Sequence, residues 1–335
     1  MIWETLLETA KRAPSPHNVQ PWLIRVTDAS SADLFIVRER TLPKEDLTGS
    51  FLLSAMTIFV TTLKEVARNY GYSLEHSYDH IPDPNASRDR ISFGTLHLEE
   101  SRNSDLKISY PLDLIRKRKT SRLPNWKKPV PESVRTTLTT FCSYEGQTLH
   151  IVSDPMAVES IIEQNTSALF ADLNTPDYHD ELASWLRISD RHAETTGDGL
   201  DRRCMKLPAI PMHLMVGAPQ LLIAPLLKNI STSRYYRTEL GHVQYIGLIS
   251  GSFWKPEDAL RSGEFLARFW LELARHDLQI HPFGNLVTNR PANKWLSDRF
   301  NLNSIWFVFR MGYTDEAPVS KRLPNQKIIE YALSV

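Results

Sequence analysis

The sequence predicts an α+β fold in which one order of elements occurs twice along the chain. The first observation is a pair of long stretches, 52–70 and 256–276, whose apolar residues recur with helical spacing. The second is that each stretch follows a short helix, a loop and a strand, and precedes a further strand. A repeated order of this kind indicates a diverged internal duplication.

The predicted elements of the first half combine apolar periodicity with turn residues at their ends. Apolar residues at every third or fourth position indicate helices, and alternating apolar residues indicate strands. Gly71 gives the long helix a left-handed end. The elements are a helix over 2–12, a loop over 13–22, strands over 23–27 and 34–39, the helix over 52–70, and a strand over 91–98.

The second half begins with a basic segment at about residue 114 and then repeats the same kinds of element. Pro129 and Pro131 indicate the start of a new helix, because proline is tolerated in a first turn. The predicted helices run to about 141, over about 155–170, over about 179–189 and over 256–276, and the strands lie over 149–152, 220–226 and 305–313. We therefore divide the chain into half-copies 1–110 and 111–335.

Short sequence matches accompany the repeated order. Gln20–Asp28 aligns with Gln147–Asp154 when one residue is dropped, and Glu65–Arg68 aligns with Glu272–Arg275. The halves differ in their surroundings, since the first has the rigid loop and the second has the basic cluster. If the halves pack about a pseudo-twofold axis, the loop of one completes the cluster of the other. One complete site per chain is then expected.

Composition narrows the class of protein. Lys+Arg and Asp+Glu both number 39 among 335 residues, so no net charge would gather nucleic acid or an anionic membrane. The two cysteines form one disulfide at most, which suits a reducing compartment. The N-terminus is acidic where a signal peptide is basic, and no window approaches the roughly 20 apolar residues of a membrane span. We expect a soluble, cytoplasmic protein that binds small molecules.

Two segments have the composition of a binding site. Residues 13–22 contain three prolines with Ser, His and Asn between them, which gives a rigid polar loop suited to holding a ligand. Residues 116–122 contain five cations and two hydroxyls, a set suited to phosphate oxygens. The alternative interpretations are an ordinary helix-to-strand connection and a solvated basic face.

Other functional signatures are missing from the sequence. It has no glycine-rich dinucleotide loop, no Walker motif, no Cys-x-x-Cys pair and no His-Glu-x-x-His helix. The eleven histidines lack ligand spacing, so no metal site is expected. His17 is interpreted as a structural part of its loop, and Asp198 between two glycines as a turn former.

Residues 13–22 and 118–122 carry motifs that occur together in one known family. The loop Ala-Pro-Ser-Pro-His-Asn-Val-Gln-Pro-Trp resembles the S/A-P-S-x-x-N-x-Q-P-W loop of the FMN-dependent nitroreductase superfamily. The basic segment resembles its R-x-S-x-R/K phosphate motif, with Thr120 for the usual serine. Further similar segments are 278–284, 311–313 and 321–324. The split arrangement is most similar to the Acg-type subgroup, in which one chain imitates the usual homodimer around one flavin.

The resemblance implies a nitroreductase-like, mainly antiparallel sheet flanked by helices, with 52–70 and 256–276 at the core of a pseudo-dimer. It implies one FMN, with the phosphate on the second half and the ring against the loop of the first. Backbone N–H groups near residues 283–284 would face N5 of the ring. The implied cofactor-binding residues are Arg118, Thr120, Arg322 and Lys321 at the phosphate, Arg122 at the pyrimidine edge, and Pro14, Ser15, Pro16, Asn18, Pro282, Phe283 and Gly284 around the ring.

The function implied by the resemblance is that of an FMN-dependent oxidoreductase. Hydride would arrive from NAD(P)H or an organic substrate and leave to a nitro compound, a quinone or oxygen. No catalytic side chain is assigned, because the flavin carries the chemistry. The alternatives are a protein that sequesters FMN beneath a lid at about 155–240, a biosynthetic flavin oxidase or desaturase, and a protein without cofactor. A monomeric pseudo-dimer and a homo-oligomer are both compatible with this arrangement.

Overall fold

The first half and the C-terminal tail form a five-stranded sheet, in which buried and exposed side chains alternate along the strands. The computed structural model describes residues 2–78, 80–84, 86–101, 108–223, 240 and 242–332. The inward side chains of the longest strand are Ile91, Phe93, Leu96 and Leu98, as expected for a sheet with one buried face. The strands are β1 (Trp22–Val26), β2 (Ser31–Val37), β3 (Tyr72–Ser77), β4 (Arg90–Glu100) and β11 (Ile329–Tyr331), in the order β11-β1-β2-β4-β3. Only β11 is parallel to its neighbour.

The second half supplies a sheet of four antiparallel strands. Its strands are β5 (Thr148–Val152), β8 (Tyr245–Ser250), β9 (Gln279–Pro282) and β10 (Ile305–Gly312), in the order β5-β8-β10-β9. Every residue of β10 is buried, which is typical of a strand covered on both faces. Two further short strands, β6 (Leu186–Arg187) and β7 (Leu200–Asp201), pair with each other in parallel.

Helices flank both sheets. In the first half and at the start of the second they are α1 (Ile2–Ala10), α2 (Ser50–Asn69), α3 (Leu112–Lys117) and α4 (Glu132–Tyr144). Between β5 and β8 lie α5 (Pro155–Leu173), α6 (Pro176–Trp185), α7 (Asp190–Thr196), α8 (Arg202–Met205), α9 (Ala209–Gly217) and α10 (Pro219–Ile223). The last helices are α11 (Pro256–Arg275), α12 (Asn285–Thr288) and α13 (Arg290–Phe300).

The long helices α2 and α11 pack against each other in the main hydrophobic core. Their predicted positions, 52–70 and 256–276, are confirmed within a few residues at each end. The two backbones approach closely at Gly263, where an added Cβ would lie 2.0 Å from Thr57 Oγ1. Each helix also ends with an ion pair between residues three apart, at 2.6 Å for Glu65–Arg68 and 3.4 Å for Glu272–Arg275.

The two sheets share one order of strands. The first half runs α1-β1-β2-α2-β3-β4 and the second runs α4-β5-β8-α11-β9-β10, and in both sheets the last two strands exchange places. The protein therefore has the predicted α+β fold of antiparallel-dominated sheets flanked by helices. Residues 153–244, which we call the insertion, separate β5 from β8, and β11 returns to pair with β1.

The prediction of a strand over 220–226 was wrong in its described part. Residues 220–223 belong to helix α10, and 224–226 lie outside the described residues. A short apolar run does not distinguish helix from strand, and Pro219 in the first turn favours the helix. The sequence analysis also missed β6, β7, β8 and β11, and the helices α3, α7, α8, α9, α12 and α13. 

Helix α2 is, in the described part of the chain, the one helix long and apolar enough to cross a membrane by length and composition. Its apolar window is 83% buried inside the protein. The sequence analysis had found no such window, because Ser, Thr, Lys and Glu interrupt the apolar run. Burial against α11 accounts for its apolar character without a membrane.

Candidate active site

A cavity of about 1510 Å³ is lined by both halves, the insertion and the C-terminal tail. Every residue predicted to bind a cofactor lines this one cavity: Pro14, Ser15, Pro16, Asn18, Arg118, Thr120, Arg122, Pro282, Phe283, Gly284, Lys321 and Arg322. The volume exceeds the roughly 300–1,000 Å³ that is usual for the pocket of one ligand. The cavity therefore has room for a cofactor and a second molecule.

The basic segment reaches the cavity because its backbone is extended beside strand β9. Thr120 forms a parallel bridge with Ile280, and the Ser121 N–H donates to the Ile280 carbonyl at 2.9 Å. Side chains of an extended segment alternate between two faces, so the arginines on either side of Thr120 share its face. Ser121 points the other way, where it is buried and its Oγ lies 2.9 Å from Thr314 Oγ1. The spacing of the R-x-T-x-R motif follows from this geometry.

Arg118 and Arg322 meet at the end of helix α1. The Arg118 guanidinium donates to the Arg12 carbonyl at 2.7 Å and lies 4.9 Å from the centre of the Trp270 ring. Arg322 donates to the Lys11 carbonyl at 2.9 Å and to the Arg12 carbonyl at 3.2 Å. The backbone thus brings two guanidinium groups from distant parts of the chain onto one carbonyl oxygen. We call Arg118 and Arg322 the arginine pair.

The arginine pair lacks a compensating carboxylate among the described residues. Burial first, and then Arg322 and Arg12, lower the pKa of Arg118 to about 9. Burial and Arg12 lower the pKa of Arg322 to about 10. Both depressed values mean that the site disfavours its own positive charges. A bound anion would relieve the repulsion and accept hydrogen bonds from both guanidiniums.

Three lysines of the basic segment and tail have acidic partners. Lys119 lies 2.8 Å from Glu316, and Lys117 pairs with Asp277 on the surface. The Lys321 ammonium lies 3.2 Å from Glu194 of helix α7, so its predicted contact with a phosphate stays a prediction. The Lys321 carbonyl instead accepts a hydrogen bond from Asn18. Lys119 and Lys321 line the cavity but are paired with carboxylates, which distinguishes them from the arginine pair.

The loop over 13–22 is held by hydrogen bonds to two other segments. His17, Asn18 and Gln20 all have positive φ, at 46°, 56° and 51°. The buried Gln20 amide donates to the carbonyl of Gly197 in the insertion at 3.0 Å and accepts from the N–H of Leu323 in the tail at 2.9 Å. These bonds stabilise a left-handed backbone that is unfavourable by itself.

Asn18 ties the same segments together. Its side-chain nitrogen donates to the Gly199 carbonyl at 3.2 Å and to the Lys321 carbonyl at 3.0 Å. Its Oδ1 is buried and accepts no hydrogen bond within the described chain. Ser15 supports the turn, since its Oγ accepts from the Gln20 N–H at 3.0 Å. Asn18 thus lines the cavity, while its donors are used to fix the insertion and the tail.

Residues 282–284 form the wall beyond the edge of β9. The Phe283 N–H donates to the Val308 carbonyl at 2.7 Å, so this one of the N–H groups near residues 283–284 is already paired within the protein. Pairing with β10 satisfies the group inside the sheet. The Gly284 N–H has no hydrogen-bond acceptor in the described part of the protein and remains suited to that role. Nearby His281 is buried, and burial with Arg122 and Arg310 lowers its pKa well below the usual value, so it is neutral at pH 7.

The insertion supplies an apolar wall. Among the lining residues of this wall are Leu169, Phe170, Leu173, Tyr178, Leu182, Met205, Leu207, Pro211 and Met215. Helix α5 is tied to the helices after β9 through Asp172, which accepts from Asn285 at 2.7 Å and Asn289 at 2.8 Å. Burial raises the pKa of Asp172, which the two amides partly offset. The predicted lid therefore borders the cavity in its described part.

Several residues of the site were missed by the sequence analysis. Arg12 directly precedes the proline-rich loop and adds positive charge beside the arginine pair. Glu45 lines the cavity, and its Oε2 lies 3.1 Å from His17 Nε2. No local pattern marks Glu45, since its neighbours form a surface turn. His17 was interpreted as purely structural, whereas the structure places it with Glu45 on the cavity wall.

The residues of the cavity fit an FMN better than a metal ion. The arginine pair suits a phosphate dianion, and the free Gly284 N–H suits an acceptor on the ring. No group of three or more His, Cys, Asp or Glu side chains with metal-binding geometry occurs within the described ranges. The chemistry of the donors therefore favours an anionic organic ligand.

Comparisons with known proteins give nitroreductases as the similar solved structures. No protein-family model and no curated protein matches the sequence. An FMN-bound nitroreductase from Desulfitobacterium hafniense DCB-2 aligns with a TM-score of 0.38 and 8% identity, over 66% of this chain and 97% of that chain. The FMN-dependent nitroreductase NfnB from Mycobacterium smegmatis, in complex with NADPH, aligns with a TM-score of 0.38 and 11% identity, over 65% of this chain and 96% of that chain. The FMN- and NADPH-dependent NfnB from Sphigopyxis sp. strain HMH aligns with a TM-score of 0.37 and 13% identity, over 66% and 97%. At these TM-scores and identities, the alignments do not show the function of this chain.

Proposed function

We propose that the protein is an FMN-dependent oxidoreductase of nitroreductase type that acts on small electron-poor acceptors. The observation that carries the proposal is the arginine pair. Arg118 and Arg322 line a cavity, share the Arg12 carbonyl and have no carboxylate partner in the described structure. Their lowered pKa values, about 9 and about 10, support a site whose missing partner is an anion.

The other lining residues take the roles that the resemblance to the nitroreductase superfamily implies. Thr120 shares the face of Arg118 and donates its hydroxyl to the phosphate. Arg122 lies toward the pyrimidine edge of the ring, where a cation stabilises the reduced anionic form. Pro14, Ser15 and Pro16 wall the ring, and Gly284 donates its N–H to N5. The flavin, once bound, supplies two-electron hydride chemistry at N5.

The repeated strand order supports an internal duplication and one site per chain. The ring-facing loop belongs to the half-copy 1–110, and the phosphate-binding segment belongs to 111–335. A pseudo-dimer that needs both halves for one site accounts for this division of residues. The Acg-type arrangement, the cytoplasmic location and the oligomeric state stay predictions.

The first test is the visible spectrum of the purified protein. We expect flavin absorbance, either as isolated or after addition of FMN. Arg118→Ala combined with Arg322→Ala should abolish flavin retention, because it removes both phosphate donors. Lys117→Ala is the matched control in the same segment, since Lys117 pairs with Asp277 on the surface. A wild-type protein that stays colourless with FMN, or a double variant with normal flavin content, would overturn the assignment.

A second candidate function is sequestration of FMN without turnover. The apolar wall of the insertion favours it, because a cavity closed on that side restricts access for a nicotinamide. Anaerobic addition of NADPH separates the two. Bleaching of the flavin absorbance supports the oxidoreductase, whereas an unchanged spectrum supports sequestration. Bleaching by an organic substrate alone would support the oxidase or desaturase alternative.

A further inference from the structure

The cavity contains an acid–base pair that the flavin chemistry does not use. We propose that Glu45 is a catalytic residue that exchanges a proton with the substrate, and that His17 is its positioning residue. The substrate class is a quinone, which needs one hydride and one proton. This inference rests on the proposed flavin function. Its tests distinguish a failure of the inference from a failure of the proposed function.

The geometry of the pair is direct. His17 Nε2 lies 3.1 Å from Glu45 Oε2, and both residues line the cavity. Their side chains are 18% and 25% exposed, so the contact is shielded from bulk water but reachable from the cavity. His17 has a φ of 46°, which is unfavourable for a residue with a Cβ. Its loop maintains this backbone through Gln20 and Asn18, which fixes the direction of the imidazole.

The segment that carries Glu45 is also anchored. The Glu181 carboxylate of α6 accepts the Lys44 N–H at 2.9 Å and the Glu45 N–H at 2.8 Å. The next residue, Asp46, accepts the N–H groups of residues 51 and 52 in the first turn of α2. Two helices therefore hold the short turn on which Glu45 lies. Such rigidity is expected where a proton must reach one position on a substrate.

The Glu45 carboxylate lies next to the one backbone donor assigned to the flavin ring. A Cβ placed on Gly284 would lie 4.0 Å from Glu45 Oε1. Oε2 contacts His17, and Oε1 has no hydrogen-bond partner among the described groups. Oε1 is thus available to a second molecule beside Gly284. A proton donor acts only within hydrogen-bond reach, so the proposal requires a quinone oxygen to bind next to Oε1.

The chemical step balances with the groups named. A bound reduced flavin would supply the hydride and both electrons that the quinone needs. The pair holds one proton across the Oε2–Nε2 contact, and Glu45 delivers it to a quinone oxygen, where a new O–H bond gives the hydroquinone. Glu45 and His17 then regain one proton from water. No other reactant is needed.

Other titratable groups surround the His17–Glu45 pair and can affect the pH dependence of the reaction rate. Glu181 faces the turn from α6, and burial raises its pKa. Asp46 lies on the same turn, where burial raises its pKa to about 6. Lys44 is paired with Asp177 of α6 at 3.2 Å. Because burial raises the pKa of Asp46 to about 6, the test compares Glu45→Gln with wild type at pH 7 and above.

The kinetic test is the anaerobic reoxidation of the reduced holoprotein by menadione at pH 7 and pH 8. Glu45→Gln should be about tenfold slower or more than wild type at both pH values, as for loss of a general acid. Glu8→Gln is the matched control, since Glu8 lines the cavity without a histidine partner and pairs with Lys11. Rates within twofold of wild type for Glu45→Gln would overturn the proposal.

A second readout needs no turnover. Diethylpyrocarbonate modifies histidine nitrogen, and peptide mass spectrometry reports labelling of His17 in the flavin-free protein. Glu45→Gln should increase this labelling, because Nε2 loses its carboxylate partner, and equal labelling would show that the pair does not exist. Bound FMN should slow labelling in wild type. Failure of wild type to bind FMN overturns the proposed function, while the labelling still decides the pair.

Discussion

At the scale of single residues, hydrogen bonds to distant segments determine the conformation of the loop over 13–22 more than its prolines do. Gln20 is fully buried and bonds to Gly197 and Leu323, which are distant from it in sequence. Leaving such buried groups unsatisfied costs about 1–3 kcal/mol each. The prolines restrict the unfolded loop, but these contacts select its folded form. The loop therefore couples the insertion and the tail to the wall of the cavity.

The close approach at Gly197 gives a prediction with an internal control. Gly197 ends α7 with a φ of 73°, and an added Cβ would lie 2.8 Å from the Arg322 carbonyl oxygen. Gly146 follows α4 with a φ of 74° and has open space at the same position. Gly146→Ala should cost about 1 kcal/mol from backbone strain alone. Gly197→Ala should cost at least about 1 kcal/mol more, because it also displaces the tail.

Urea unfolding of both glycine variants measures this difference. The FMN affinity of Gly197→Ala should also fall, since the displaced carbonyl belongs to a residue of the arginine pair. Equal unfolding free energies for the two variants would show that the tail yields freely at this contact.

At the scale of elements, the crossing of α2 and α11 determines how the two halves pack. Gly263 lets the helices approach so closely that Thr57 and Ser54 occupy the space where a Cβ of residue 263 would lie. The polar atoms at the contact are satisfied within α2, since Thr57 Oγ1 lies 3.1 Å from the Ser54 carbonyl. The cavity lies beside the same helices, because Ser54 and Ala55 of α2 and Leu266 and Trp270 of α11 line it. A change in the crossing distance would therefore alter the site.

Gly263→Ala should destabilise the protein, although alanine is the better helix former. The added Cβ would lie 2.4 Å from the Ser54 carbonyl oxygen, so the helices must separate. We expect a loss of about 2 kcal/mol or more, against a propensity gain of about 1 kcal/mol. Gly217→Ala in α9 is the control, since nothing lies near its added Cβ, and it should be neutral or stabilising. A stabilised Gly263→Ala variant, measured by urea unfolding, would contradict the packing described.

At the scale of the molecule, residues from both halves, the insertion and the tail border one cavity. Distant parts of the chain also combine in the first sheet, where β11 from the end of the chain pairs with β1. A site of this kind depends on the relative position of the halves. Binding at the cavity is therefore expected to stabilise the whole protein rather than one half.

The sequence predicted the parts of this arrangement that are encoded locally. The long helices follow from periodicity, and the cavity-lining loop and basic segment follow from motif resemblance. Contacts between distant segments have no local signal, which is why the pairing of β11 and the contact of His17 with Glu45 were missed. The hydrogen bond from the Phe283 N–H to the Val308 carbonyl depends on how residues 282–284 align with β10. The local sequence does not encode that alignment. The helix at 219–223 was missed because a short apolar run is ambiguous.

The most direct test of the central claim is a comparison of FMN with riboflavin by fluorescence titration of the flavin-free protein. The two ligands share the ring and differ in the phosphate, which is the group assigned to Arg118 and Arg322. Hydrogen bonds from charged groups contribute about 1.5–3 kcal/mol each, so FMN should bind about 100-fold more tightly or better. Equal affinities for the two flavins, or no binding of either, would contradict a phosphate site at the arginine pair.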